Sequence, residues 1–105
     1  MIKIALYITL EKTTANDFID KLINVCKKNG IAYIADRAWE QMMVLFDYGL
    51  AVFRIEEYIK KEEKYIDVSI IPIAEKASLS TVIIDVLRLL KEMDIDHEKL
   101  GFVVQ

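Results

Sequence analysis

The amino-acid sequence predicts one small α+β domain over residues 1–105, built from a mixed β-sheet and two or three helices. Three observations lead to this prediction. The length suits a single domain. Apolar runs of strand composition lie at both ends and in the middle of the chain, and two further segments repeat apolar residues at helical spacing. The predicted order of elements is β-α-β-(α)-β-β-α-β, where the bracketed helix is optional.

The first strand and the first helix are predicted from residues 2–30. Residues 2–10 form an almost entirely apolar run, which suits a strand covered on both faces. A helix follows, because Thr13 and Thr14 offer an N-cap, with Asp17 three residues after Thr14, and Asn29-Gly30 supplies a stop signal. The apolar residues of this helix recur at helical spacing: Ala15, Phe18, Ile19, Leu22, Val25 and Cys26.

The segment after a short second strand at residues 31–35 has two interpretations. Asp36 can cap a helix over residues 37–48, which Gly49 would end. The rival interpretation makes residues 42–47 a strand. We favour the helix, because no alternation of apolar and polar residues runs through the segment.

Residues 50–59 and 65–73 are predicted to pair as a β-hairpin, since both alternate apolar with polar residues. The charged KKEEK segment between them suits the hairpin tip. If its first two lysines form the turn, Arg54 lies opposite Asp67 as a cross-strand pair of opposite charge. Pro72 lacks an N–H group, so strand pairing is expected to weaken there.

A last helix is predicted over residues 79–93, with Ser78 or Ser80 as its cap, and a final strand over residues 100–104. The helix is apolar around more than half of its circumference, whereas packing on one sheet needs an apolar arc of only about 100°. We therefore expect it to contact a second surface. The residues predicted for an oligomer interface are Ile84, Leu87, Leu89 and Leu90.

Without the optional helix, the order of elements approaches the ferredoxin-like split βαβ plan, the leading alternative for the fold. One segment also resembles a known family. Residues 67–73 (DVSIIPI), followed by Ser78-Leu79-Ser80 and a helix ending near Met93, resemble the opening strand and helix of the thiamine-binding ferredoxin-like family. That segment begins the domain in the family, but lies in the second half here. The resemblance implies a ferredoxin-like oligomer that binds a small aromatic ligand.

The composition indicates a surface that a partner buries. Hydrophobic residues make up 54% of the chain, above the roughly 45–50% typical of a soluble domain. No run approaches the ~18 consecutive apolar residues of a membrane-spanning helix. We therefore expect a homo-oligomer, most simply a dimer, or a protein partner, and no membrane. The N-terminus lacks an export-signal pattern and there is one cysteine, which together predict a cytoplasmic location.

Charge and residue usage bear on partners and on source. The net charge is −3, so the chain lacks the overall basic field that binding to a phosphate backbone requires. Nucleic acid is therefore not favoured as a partner. The scarcity of glycine and proline beside abundant isoleucine, lysine and glutamate is typical of thermophilic proteins, and equally of AT-rich genomes.

The sequence contains no recognisable catalytic, cofactor or metal motif. The single cysteine, Cys26, and the single histidine, His97, are too far apart for zinc-ligand spacing. Cys26 is also predicted to lie on the apolar side of the first helix, where a thiol is unreactive. We therefore predict a non-enzymatic domain without a cofactor, which acts through protein–protein contacts or by binding a small ligand.

Four residues are candidates for binding a ligand. Arg37 and Trp39 place a cation beside an aromatic ring, a combination that can stack against a planar ligand. Arg54 and Asp67 belong to the charged side of the predicted hairpin. For each pair the simpler interpretation is structural: an anchoring aromatic residue in one case and a solvated face in the other.

An alternative function is a nucleic-acid-associated module, possibly a metal-dependent nuclease. Acidic residues with a nearby lysine on strands can hold Mg²⁺ beside a phosphodiester. The candidates for such a site are Glu56, Glu57 and Asp67, with Arg54 and Lys60 nearby in the sequence.

Overall fold

The computed structural model describes residues 3–104, apart from the side chain of His97. Six strands and two helices make up most of this part of the chain. They are β1 (Ile4–Glu11), α1 (Ala15–Lys28), β2 (Tyr33–Asp36), β3 (Gln41–Phe46), β4 (Gly49–Lys60), β5 (Glu63–Ile73), α2 (Leu79–Glu92) and β6 (Gly101–Val104). Single 3₁₀ turns, Lys76–Ser78 and His97–Lys99, precede and follow α2.

The six strands form one sheet in the order β2-β3-β4-β5-β1-β6, and every neighbouring pair is antiparallel. The α+β class is therefore confirmed, but the predicted mixed sheet is wrong. Each helix connects two parallel strands that are not neighbours, because an antiparallel strand always lies between them. For example, α2 leads from β5 to β6, and β1 separates these two strands.

The predicted optional helix over residues 37–48 is wrong, and the rival strand interpretation is confirmed as β3. Met42 and Val44 are fully buried against the helices, while the alternate residues Met43 and Leu45 point to the opposite face. That opposite face also carries apolar residues here, so the strand shows no alternation in the sequence. Asp36 accepts a hydrogen bond from the Trp39 N–H (3.2 Å), and thus closes a turn instead of capping a helix.

The β4–β5 hairpin is confirmed, but with a different turn. The two turn residues are Lys61 and Glu62, which both adopt positive φ angles of 52° and 66°. This backbone matches the type I′ turn that suits the twist of paired strands. The predicted pairing of Arg54 with Asp67 is consequently wrong by two residues, and Arg54 lies opposite Ser69. A shift of two residues keeps every side chain on its predicted face.

Both helices pack on one face of the sheet, which we call the inner face. α1 has the predicted ends: Thr14 accepts a hydrogen bond from the Asp17 N–H (3.1 Å) at its start. At its end, Gly30 has a φ of +65°, and the Ile31 N–H donates to the Cys26 carbonyl (2.9 Å). This is the Schellman arrangement that commonly ends a helix. The largest fully buried side chains on the inner face belong to β1, β3, β4 and β5: Leu6, Ile8, Met42, Phe53, Ile66 and Ile70.

Pro72 affects one side of β5 only. Pairing of β5 with β1 stops at Ile70, whereas pairing with β4 continues through Pro72 to Ile73. The expected weakening of the ladder therefore occurs toward β1, and the β4 side is unaffected.

The start of β4 requires a glycine. A Cβ atom on Gly49 would lie 2.6 Å from the Ile73 carbonyl oxygen and 2.8 Å from Val82 Cγ2. Gly49→Ala should therefore lower the free energy of unfolding by about 1–3 kcal/mol, since the neighbours are backbone and core atoms. Urea denaturation measures this change. Gly30→Ala is the matched control, because its Cβ would meet no atom within 4 Å and only the positive φ is strained. A smaller loss for Gly49→Ala than for Gly30→Ala would contradict the explanation.

Candidate functional site

The face of the sheet opposite the helices is uncovered in the described structure, and we call it the outer face. Side chains alternate between the two faces along each strand. The strand registers therefore place the outer-face residues in rows that run across the strands. These rows differ sharply in chemistry from one end of the sheet to the other.

Two adjacent rows of the outer face consist of apolar residues. The first row crosses all six strands, and the second adds three residues on β5, β4 and β3. We call the following nine residues the apolar zone: Val103, Ala5, Ile71, Val52, Met43, Ile34, Ile73, Leu50 and Leu45. Ile34, Ile73 and Leu45 are 62%, 50% and 40% exposed, which is high for large aliphatic side chains.

The apolar zone is large for a chain of this size. Strands lie about 4.8 Å apart, and same-face residues lie about 6.7 Å apart along a strand. Nine residue positions therefore cover about 290 Å² in projection, and side-chain relief makes the accessible area larger. Apolar patches of roughly 300–600 Å² are the largest on typical monomers and often serve a function. The zone therefore qualifies as a candidate contact surface.

The remaining rows of the outer face are polar and aromatic. Tyr7 begins the row next to the apolar zone, and its ring lies over Gly101, where a Cβ would come within 2.6 Å of the ring carbon Cε2. The other residues of these rows, in order away from the zone, are Ser69, Arg54, Gln41 and Asp36, then Thr9, Asp67 and Glu56, then Glu11, Tyr65 and Tyr58. The outer face is thus apolar at one end and rich in carboxylates at the other.

Asp67 is held by two neighbouring strands. Its Oδ1 atom accepts hydrogen bonds from the Thr9 hydroxyl (2.7 Å) and the Tyr58 hydroxyl (3.2 Å). Tyr58 in turn stacks on Tyr65, with ring centroids 5.5 Å apart. The carboxylate therefore has partners that fix β1, β5 and β4 together, which is a structural role for a predicted ligand-binding residue.

The pKa values of Tyr58 and Tyr65 are both raised above the ordinary value for tyrosine. Desolvation by the surrounding side chains raises the pKa of Tyr58, and the charge and hydrogen bond of Asp67 raise it further. The pKa of Tyr65 is raised first by desolvation and then by Glu63, to which its hydroxyl donates a hydrogen bond (3.3 Å). Both hydroxyls therefore stay protonated beyond the pH at which a free tyrosine ionises.

The structure does not gather the four predicted ligand-binding residues into one pocket. Arg54 and Asp67 share the outer face, but they are diagonal neighbours two positions apart. Arg37 forms an ion pair with Asp20 of α1, on the inner side of the sheet. Trp39 lies in the β2–β3 turn and is 78% exposed, so it is no core anchor. Ligand binding by these residues stays a prediction.

The acidic residues of the alternative function lie on both faces of the hairpin. Glu56 is directly opposite Asp67 on the outer face, whereas Glu57 points to the inner side. Among the described residues, no group of three or more potential metal ligands comes together. The Cys26 thiol is buried, as predicted, and burial raises its pKa to about 11.

The predicted interface on α2 is mostly interior. Leu89 and Leu90 are 3% and 0% exposed, because they pack in the core between α2 and the sheet. Leu87 is partly buried against the same core, and Ile84 is 48% exposed. The outer face was not predicted as a contact surface from the sequence. Its signal is nevertheless present, since β3 and β5 place apolar residues at consecutive positions, such as Ile70 and Ile71.

Comparisons with other proteins do not identify a family. No known family model matches the chain, and none of the curated proteins compared with it is similar. Among residues 3–104, no helix is long and apolar enough to cross a membrane.

The contact between Asp67 and Tyr58 predicts a change in alkaline titration. Asp67→Asn should lower the pKa of Tyr58, because it removes the negative charge beside the hydroxyl. NMR titration of the tyrosine ring carbons measures this pKa. Glu63→Gln is the control, since it should lower the pKa of Tyr65 instead. Equal pKa values for Tyr58 in the wild type and in Asp67→Asn would contradict the assignment.

The same raised pKa values predict how stability depends on pH. The unfolded chain loses its tyrosine protons near pH 10, before the folded chain does, so the free energy of unfolding should fall as the pH rises above about 10. Asp67→Asn should make this fall shallower. Urea denaturation between pH 8 and pH 11 measures it, and a rise in stability over that range would contradict the prediction.

Proposed function

We propose that this chain is a non-enzymatic protein–protein interaction domain that forms a homodimer through the apolar zone. The observation that carries the proposal is a row of six apolar residues that crosses the whole sheet on its uncovered face. Burying this row against a second copy removes it from water, which is the main favourable term in protein association. The apolar zone also accounts for part of the 54% hydrophobic content, because its nine residues lie outside the core cluster.

The size of the outer face supports a second copy as the partner. Adding the row of Tyr7, Ser69, Arg54 and Gln41 extends the contact to thirteen residue positions, or about 420 Å² in projection. Side-chain relief makes the accessible area larger than its projection. A standard interface buries about 800 Å² per partner, with an apolar centre and a polar rim. Two copies whose sheets pack face to face through the apolar zone would form an interface with such an apolar centre and polar rim.

Charge supports a two-fold arrangement of the copies. On the outer face, three carboxylates lie at the end away from the apolar zone, Glu11, Glu56 and Asp67, whereas Asp36 lies beside the zone on the β2 edge strand. A two-fold axis through the zone directs the acidic ends of the two copies in opposite directions. The arrangement is self-complementary, as a two-fold interface must be. It also avoids contact between like charges in a chain of net charge −3.

The proposal includes a ferredoxin-like frame and a cytoplasmic location. β5 lies between β1 and β4, and β1 lies between β5 and β6, which is the arrangement of two split βαβ units. The β2–β3 hairpin then extends one edge of this four-stranded frame and lengthens the apolar row by two residues, Met43 and Ile34.

Light scattering coupled to size exclusion at micromolar concentrations tests the proposed dimer. The wild type should elute with the mass of two chains. Ile71→Lys and Ile73→Lys should raise the dissociation constant at least ~100-fold, because each would bury an unpaired charge in the interface. Ile73 is half exposed in the single chain, so its substitution leaves the core intact.

Ile84→Lys is the matched control, because it places the same charge on an exposed position of α2. This variant should remain a dimer. A monomeric wild type would refute the proposal. Dissociation by Ile84→Lys, without dissociation by Ile73→Lys, would instead place the interface on α2.

A further inference from the structure

β1 is longer than the strand that covers its edge. β6 pairs with Ile4–Tyr7 only, and the ladder between the two strands ends where Tyr7 lies opposite Gly101. On its other side, β1 pairs with β5 as far as Glu11. Residues Ile8–Glu11 therefore form a strand segment with one free edge among the described residues.

The free edge presents an ordered set of backbone groups. The Lys12 N–H donates to the Lys64 carbonyl (2.8 Å) and so points toward β5. Because alternate residues of a strand point to opposite sides, the N–H and C=O groups of Thr9 and Glu11 point away from β5. No described strand pairs with them. Two donors and two acceptors about 6.8 Å apart match the spacing of an extended backbone.

A cavity of about 700 Å³ lies beside this edge. The residues that line it include four with apolar side chains, Leu10, Phe18, Met93 and Ile95. Lys21 and Lys99 border the cavity with Glu11 and Asp94, so both charge signs are present at its rim. A volume of this size lies within the ~300–1,000 Å³ of ordinary ligand sites, and accommodates large side chains.

We propose that the edge of Ile8–Glu11 binds an extended peptide segment of another protein by strand addition. The peptide backbone pairs with the free groups of Thr9 and Glu11, as in other sheets that bind peptides at an edge. Alternate peptide side chains then enter the cavity, where Leu10 and Ile95 favour apolar residues. The side chains between them meet Tyr7, Thr9 and Glu11, which favour polar residues.

The site is separate from the apolar zone. Strand addition uses the edge of β1 from Ile8 to Glu11, whereas the apolar zone of the proposed dimer lies on the outer face at the opposite end of the strands, and Tyr7 borders both surfaces. The inference therefore does not depend on dimer formation. The free edge is also short: Lys12 has a φ of +56° and ends the strand, which limits the segment that can pair there.

A blocked pentapeptide of alternating valine and threonine is a suitable probe. In an NMR titration of the ¹⁵N-labelled full chain, the amide signals of Thr9 and Glu11 should shift and their hydrogen exchange should slow. Two versions of the peptide, N-methylated at the valines or at the threonines, test the backbone pairing. Only one edge of the peptide can face β1, so one methylated version should bind at least ~tenfold more weakly than the other.

Variants of the chain provide a second test. Glu11→Pro removes one free N–H and should weaken peptide binding at least ~tenfold. Glu11→Gln removes only the charge and should bind as the wild type does. Ile95→Asp, which charges the cavity wall, should also weaken binding and covers the case in which Glu11→Pro fails to fold.

Three results would overturn the inference. The first is no shift at Thr9 or Glu11 with millimolar peptide. The second is equal binding of the two methylated peptides, which would indicate side-chain contacts without strand pairing. The third is a change at the same amides that depends on protein concentration without peptide, which would show that a second copy of the chain occupies the edge.

Discussion

β5 lies between β1 and β4, and its register with both strands decides which side chains the two helices cover. Ile70 faces Leu6 on one side and Phe53 on the other, and all three are fully buried. The same register brings Tyr58 beside Tyr65 and Asp67 beside Thr9 on the outer face. A shift of one residue would exchange the faces and expose the core. Both candidate surfaces depend on this one alignment.

The sequence predicts the elements whose periodicity has one explanation. α1 has an apolar stripe, a capping threonine and a terminal glycine, and the structure contains all three. The alternation in β4 and β5 likewise identifies their inner faces. The register could not be predicted, because it depends on which two charged residues adopt positive φ, and KKEEK offers several pairs. The pairing of Tyr58 with Tyr65 favours the observed turn, but only the folded hairpin reveals it.

β3 shows why the remainder of the fold could not be predicted from the sequence. A strand that is apolar on both faces has no alternation, and its composition then also suits a helix. Met43 and Leu45 belong to the apolar zone, so the feature that obscured the strand is the same one that marks the candidate surface. Similarly, α2 is apolar beyond the arc that one sheet requires, but Leu89 and Leu90 use that surplus inside the chain. Periodicity alone cannot separate a wide core contact from an interface.

The short β6 strand affects both of the proposed surfaces. Val103 extends the apolar row to the sixth strand, so β6 enlarges the outer face. Because β6 begins only at Gly101, the last four residues of β1 have no neighbour on that side among the described residues. A longer β6 would complete the sheet edge and fill the place where the peptide is proposed to bind. The residues just before β6 instead form the 3₁₀ turn at residues 97–99, which places Lys99 beside the cavity. The length of β6 thus determines both surfaces. It is long enough to extend the outer face proposed to bind a second copy, and short enough to leave the edge of β1 open to an extended segment.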